Sequence, residues 1–292
     1  MIAAMDATFA CIRPEQPVYA VVPAAGQGTR LGGRSNKPFI DLQGMPVIIR
    51  TLRTLSACPC ITGLIVVARQ DEIPAMQALL DKWHIDRMLA VVPGGVARQD
   101  SVFAGIRTVA DYHRIHSEVK GSDPLVAIHD GARCLVSRSV ICRSIRHAAD
   151  QAPCAAAVPV KDTIKVADEN GHVQQTLDRS VLYAIQTPQV AFLSTLLDAF
   201  SQSEKSGFTA TDDLSVLETA GIPVDLVAGD ETNIKLTTPY DLMIAQAMLE
   251  SGRLDEQDTD QDAACRNRAG LSRAAGSHDT DHRDPFTAAD SR

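Results

Sequence analysis

Four glycines, two arginines and a lysine fall within residues 22 to 39, "VPAAGQGTRLGGRSNKPF", directly after an apolar run. Glycine lets a backbone approach a ligand closely and adopt φ > 0, and Arg30, Arg34 and Lys37 add positive charge. Such a loop suits a phosphate chain. Two more loops of the same kind follow apolar runs: "PGGVARQDS", with Gly95 and Ser101, and "HDGAR", with Asp130 and Arg133. A carboxylate that ends a buried strand, as Asp130 does in this reading, can face Mg²⁺ and the ribose end of a nucleotide. A serine just before an apolar helical run, as Ser101 is, can equally be a first-turn helix residue. Two familiar phosphate loops are excluded. The dinucleotide fingerprint G-x-G-x-x-G fails because Leu31 stands at its third glycine, and no G-x-x-x-x-G-K-[ST] occurs.

The elements that must position these loops read as alternating strands and helices. "VYAVVPA", "GLIVVA", "LAVVPGG" and "PLVAIHDGA" are apolar at nearly every position, as strands of a parallel sheet covered on both faces are. Between them run helical patterns at Ile48/Leu52/Leu55, at Ile73/Met76/Leu80/Trp83 and at Val102/Ile106/Val109. The order is βαβαβαβ, an α/β fold of Rossmann-like type with a mostly parallel twisted sheet flanked by helices. Ligands of such sheets sit at the carboxyl ends of the strands, where all three loops fall. Residues 160–187 break the rhythm: two short β-like runs flank "ENG", a hairpin signal, which predicts a projecting β-arm. A helix from Phe192 to Ser203, a second near Asp213, a strand "PVDLVAG" and a final helix led by Pro239 complete the expected domain, residues 18–250. Residues 1–17 and 251–292 are expected to be a disordered leader and tail, the latter having no usable apolar period. The tail's "SHDTDHRD" therefore reads as solvated charge.

Composition bounds the function. With 45% apolar and 22% charged residues the chain is of ordinary globular type, and a net charge of −8 argues against a general nucleic-acid binder. No run reaches the length of a membrane span and the opening residues lack a signal-peptide pattern, so the expected setting is the cytoplasm. Seven scattered cysteines without a C-x-x-C pair indicate neither a disulfide framework nor a zinc site.

The motif A-A-G-x-G-x-R, with a lysine seven residues beyond the arginine, resembles the signature loop of nucleotidyltransferases that join a nucleoside triphosphate to a sugar or polyol phosphate. "GGVARQDSV", "HDGARCLV", "DTIK", "TLDR", "QTPQ", "TDD" and "NIKLTTPYDL" then follow in the order and spacing of one family. Over about residues 18 to 250 the chain resembles the 2-C-methyl-D-erythritol 4-phosphate cytidylyltransferases of the non-mevalonate isoprenoid pathway. The resemblance implies transfer of CMP from CTP to 2-C-methyl-D-erythritol 4-phosphate with release of pyrophosphate, Mg²⁺ as cofactor, and a homodimer joined through the arm.

It also implies roles. Arg30 and Lys37 stabilise the transition state, and Lys235 positions the substrate phosphate. Arg179 and Thr163 cross to the neighbouring subunit to bind methylerythritol phosphate. Ala24, Ala25 and Gly26 let the backbone touch the nucleotide, Gly95 and Ser101 contact the cytosine, and Asp130 and Arg133 serve the substrate site, with Asp130 a candidate metal ligand. The chain departs from the family pattern at Pro38, Gly131 and Cys134. Two other readings are a cytidylyltransferase for ribitol 5-phosphate or another polyol phosphate, and a non-catalytic nucleotide-binding homologue.

Overall fold

In the computed structural model the described residues are 16–26, 37–117, 121–208 and 212–252. Most of the expected leader and most of the expected tail lie outside them, as does Arg30. Strands β1 (Val18–Pro23), β4 (Gly63–Ala68), β5 (Met88–Pro93) and β6 (Leu125–Ile128) alternate with helices α1 (Val47–Ala57), α2 (Ile73–Trp83) and α3 (Arg98–His116). Two-residue strands β2 (Asp41–Leu42) and β3 (Met45–Pro46) form a small ladder before α1. Helix α4 (Arg138–Asp150) leads to β7 (Cys154–Pro159). Then come a hairpin of β8 (Lys165–Ala167) and β9 (Val173–Thr176), and β10 (Tyr183–Phe192). Helices α5 (Leu193–Ser206) and α6 (Ser215–Thr219), strand β11 (Asp225–Ala228) and helix α7 (Pro239–Glu250) complete the order.

Seven strands form one sheet in the order β11-β7-β10-β6-β1-β4-β5, the mostly parallel α/β architecture read from the sequence. Strand β10 alone runs against its neighbours β6 and β7. Strands β1 and β4 are buried along nearly their whole length, which their apolar runs require of strands covered on both faces. One core lies under α1 and α4, around Ile48, Leu52, Leu64, Val66 and Ile141. The other lies under α3 and α5, around Ile65, Val67, Ile106, Leu196 and Phe200. Helix α7 begins where Pro239 predicts, and the Thr238 hydroxyl accepts the Asp241 N–H at 3.3 Å.

The arm is present as the sequence indicates. Every residue of β8 and β9 is exposed, and Val166, Val173 and Val181 present apolar side chains to solvent. A two-stranded ribbon with that composition buries too little by itself to be stable alone.

Candidate active site

A cleft of about 610 Å³ opens at the carboxyl ends of β1, β4, β5 and β6. Its wall includes Ala24, Ala25 and Gly26 from the turn after β1, Lys37 and Pro38 from the short helix Lys37–Phe39, Gly95 from the β5–α3 turn, Ser101 from the first turn of α3, and Asp130, Gly131 and Lys235. Arg69 and Arg98 also line it. Among the described residues the wall thus carries four cationic side chains against one carboxylate.

Asp130 is the centre of the charge cluster. It is 6% exposed, and its oxygens accept from Arg98 at 2.9 Å, Lys235 at 2.9 Å and Arg133 at 3.3 Å. Burial works against ionisation, but Arg98, Lys235 and Arg133 outweigh it and hold this carboxyl below the usual range. Arg98 also forks onto Asp213, through a close Nη1–Oδ1 contact and an Nη2–Oδ2 bond of 2.8 Å. Burial opposes the charge on Arg98, yet Asp213 and Asp130 together push its pKa up. Burial pushes the Asp213 carboxyl up while Arg98 pulls it down.

Strand β10 fixes the loops that carry these groups, because three of its buried polar side chains each hold one of them. Gln186 accepts the Asp230 N–H and donates to the Asp230 carbonyl, binding the loop that ends in Lys235. Thr187 Oγ1 accepts the Asp130 N–H at 3.0 Å. Gln189 Oε1 accepts the N–H groups of Asp213 and Leu214 at 3.1 Å each. Lys235 is further confined on both sides, by Asn233, whose Nδ2 donates to the Thr187 carbonyl at 2.8 Å, and by Leu236, whose N–H meets the Ala132 carbonyl at 2.9 Å.

His129, fully buried beside Asp130, is a structural group. Its Nδ1 lies 3.0 Å from Thr187 Oγ1 and its Nε2 lies 3.2 Å from the Arg133 carbonyl. The carbonyl can only accept, so Nε2 carries the proton and Nδ1 accepts from the threonine. Burial pushes the pKa of His129 down to about 4. An unfolded chain takes this proton near pH 6.5, whereas the folded one refuses it until about 4, so stability is greatest above pH 6.5 and falls as pH drops towards 4. We expect His129 to account for about 2 kcal/mol of stability lost between pH 7.5 and pH 5. Urea unfolding at the two pH values checks it: His129→Gln should flatten that slope, and an equal slope in both proteins would count against the assignment.

Not every expected site residue lines its own chain's cleft. Arg133 does not line the cleft: its Nη1 donates to the Asn233 carbonyl at 2.7 Å and its Nη2 to the Ile185 carbonyl at 3.3 Å, which makes it a tie between loops. Ser101 faces the cleft, but its hydroxyl accepts the Gly95 N–H and donates to the Ala97 carbonyl, each at 3.1 Å. A Cβ on Gly95 would stand 2.2 Å from Asp100 Cβ, so the turn requires glycine. Arg179 and Thr163 are exposed on the arm and lie outside their own chain's cleft, with Arg179 Nη1 donating to the Lys161 carbonyl at 2.7 Å.

The three departures also have physical reasons. Pro38 is buried in the cleft wall, Cys134 is a buried packing residue whose thiol is pushed up to about 12, and a Cβ on Gly131 would lie 3.2 Å from the Pro23 carbonyl. Sequence reasoning missed Arg98 and Asp213, although both stand inside the quoted "GGVARQDSV" and "TDD". A charged residue in each of two loops that follow the expected elements was the available signal.

The donor set admits a magnesium ion only in company with a ligand. Asp130 is the single carboxylate on the described wall and is already shared by three cations, so it can give a metal one oxygen, with triphosphate oxygens and water supplying the rest. That is how Mg²⁺ ordinarily binds beside phosphates.

A cation-lined cleft at the carboxyl edge of this sheet, entered by a glycine-containing turn, is built for a phosphate-bearing nucleotide, and the relatives of the chain place it among the nucleotidyltransferases. The family model for 2-C-methyl-D-erythritol 4-phosphate cytidylyltransferase matches residues 18–251. The proteins of that name from Symbiobacterium thermophilum and Bacillus velezensis are 41% and 42% identical to this chain. The first match covers 80% of this chain and 93% of the relative, the second 79% and 95%. The crystal structure of 4-diphosphocytidyl-2C-methyl-D-erythritol synthase from Anaerococcus prevotii is similar at a TM-score of 0.68 and 29% identity, covering 80% of this chain and 96% of that one. The chain belongs to the 2-C-methyl-D-erythritol 4-phosphate cytidylyltransferase family.

Proposed function

We propose that this chain transfers CMP from CTP to 2-C-methyl-D-erythritol 4-phosphate, giving 4-diphosphocytidyl-2-C-methyl-D-erythritol and pyrophosphate. The observation that carries the reading is the excess of cations, Lys37, Arg69, Arg98 and Lys235, around a cleft walled by the backbone of Ala24 to Gly26. A phosphate oxygen of the acceptor attacks the α-phosphorus of CTP in line. The bridging P–O bond to the β-phosphate breaks, and pyrophosphate leaves with its electron pair. Negative charge gathers on the five-coordinate phosphorus, where fixed cations are most effective. Lys37 and Arg30 supply that charge, the latter by its place in the loop sequence. Lys235 orients the acceptor phosphate once it exchanges Asp130 for it. Asp130 would hold a magnesium ion beside the triphosphate, where the ion would supply charge neutralisation of the phosphates.

The arm gives the proposal its assembly. Its exposed valines require cover, and a second copy of the chain provides it, bringing Arg179 and Thr163 to the partner's cleft. The expected setting is the cytoplasm, and no described helix is long and apolar enough to cross a membrane.

Two experiments test the reading. In a panel of CTP, ATP, GTP and UTP against methylerythritol and ribitol phosphates, pyrophosphate should appear with CTP and the methylerythritol compound; turnover of ribitol 5-phosphate alone would refute the choice. Arg30→Ala should depress kcat, whereas Arg179→Ala should raise KM for the polyol phosphate with CTP binding near normal. Mixed Arg30→Ala and Arg179→Ala chains should regain activity, since one of the two composite sites then carries both intact groups. No recovery despite demonstrated subunit exchange would exclude a shared site.

A further inference from the structure

Three cysteine sulfurs meet inside the protein, away from the cleft. Cys58 and Cys60 lie in the turn between α1 and the amino-terminal end of β4, Cys142 lies on α4, and they are 0%, 3% and 7% exposed. Cys58 Sγ is 3.4 Å and Cys60 Sγ 3.6 Å from Cys142 Sγ, and all three sulfurs lie within 4.8 Å of one another. Thiolates at the zinc–sulfur distance of about 2.3 Å in a tetrahedron stand about 3.8 Å apart. The two short separations are therefore within a few tenths of an ångström of a metal-centred arrangement.

The surroundings suit a charged thiolate centre. Arg87 Nη1 donates to the carbonyls of Cys58 at 2.7 Å and Ile61 at 2.6 Å, which holds the turn rigid and sets a guanidinium beside it. The sequence contains no C-x-x-C, and the expectation of no zinc site followed from that spacing. The fold brings a Cys-x-Cys pair to a third cysteine 82 residues further on.

We propose that Cys58, Cys60 and Cys142 form a thiolate site for a thiophilic divalent cation of the zinc type, which staples the α1–β4 turn to α4. Cys142 is disulfide-bonded in this structure, so the site belongs to the reduced chain. A phosphine or dithiol reductant supplies two electrons, the S–S bond takes up two protons as it breaks, and two thiols result. The thiols lose their protons to solvent as the metal binds.

The test uses the full chain, reduced with a phosphine and handled without oxygen. Titration with Co²⁺ should give one equivalent of bound metal, with thiolate-to-cobalt charge-transfer absorption and tetrahedral d–d bands, both abolished by equimolar Zn²⁺. Cys58→Ser, Cys60→Ser and Cys142→Ser should each lose at least tenfold in metal affinity, while Cys154→Ser, whose thiol stands elsewhere in the core, should keep it. Absence of the charge-transfer band in the unaltered chain, or its full retention in any of the three serine variants, would overturn the site. X-ray absorption of the zinc-loaded unaltered chain needs no variant to fold: three or more sulfur neighbours near ~2.3 Å support the proposal, and a shell of nitrogen or oxygen at ~2.0–2.1 Å refutes it.

Discussion

Asp130→Asn is expected to lower pyrophosphate release at least about 100-fold and to destabilise the protein by about 3 kcal/mol. The side chain keeps its shape but loses the charge that Arg98, Lys235 and Arg133 converge on. Of those three, Arg133 suffers most, because only 11% of its side chain reaches solvent and its remaining partners are neutral carbonyls. Lys235 and Arg98 are each more than a third exposed and can turn to water. Asp130 also fixes Lys235 at the cleft wall through their 2.9 Å ion pair, so losing its charge frees a cation that the proposed reaction uses. The variant's turnover loss should therefore appear in kcat as well as in KM. Chemical denaturation together with steady-state kinetics checks both parts, and a variant within threefold of the parent in kcat would show that the cluster is not coupled to the reaction.

The second large effect concerns a pair that lies 115 residues apart in the chain. Arg98→Ala leaves Asp213, whose side chain is 1% exposed, without its cation. Breaking a buried pair from one side costs about 3–5 kcal/mol, and the lower figure applies here because Arg98 itself keeps 36% of its side chain in solvent. Removing both charges with Arg98→Ala/Asp213→Asn should recover part of the loss, since an amide in place of Asp213 leaves no buried unpaired charge. Thermal or urea unfolding of the two single variants and the double variant completes the cycle. A double variant whose loss equals the sum of the single losses would mean that the contact carries no coupling energy.

This pair also shows what the sequence hides. The order of strands and helices is legible because each element announces itself locally, by an unbroken apolar run or by apolar positions three and four apart, as in "GLIVVA" and Ile73/Met76/Leu80. The arm and the first turn of α7 are legible for the same reason, through "ENG" and Pro239. The loops that form the cleft follow from the rule that places ligands at the carboxyl ends of parallel strands.

What local pattern does not encode is which side chains of distant loops meet. Arg133 has the composition of a substrate ligand and the geometry of a brace. Arg98 and Asp213 look like solvated loop charges until the fold pairs them. Cys58 and Cys60 are separated from Cys142 by more than eighty residues, so no spacing rule could unite them. Arg179 sits on an exposed arm and does not line its own chain's cleft, so its part in a composite site rests on the proposed dimer.

Strand β10 sets the terms on which this enzyme can gain or lose residues. Its pairing with β7 already shifts register between Ile185 and Gln189, and within that short stretch Gln186, Thr187 and Gln189 each take hold of a different loop. Because side chains alternate between the faces of a strand, dropping one residue there would turn the following side chains to the opposite face and release those loops together. The tip of the hairpin between β8 and β9 is free of such coupling, being exposed and tied only to itself through Asp168, Asn170 and His172. Length variation is thus admissible at the tip of the arm and forbidden at its root, so the exposed hairpin can change by insertion while the loops held by β10 change only by substitution.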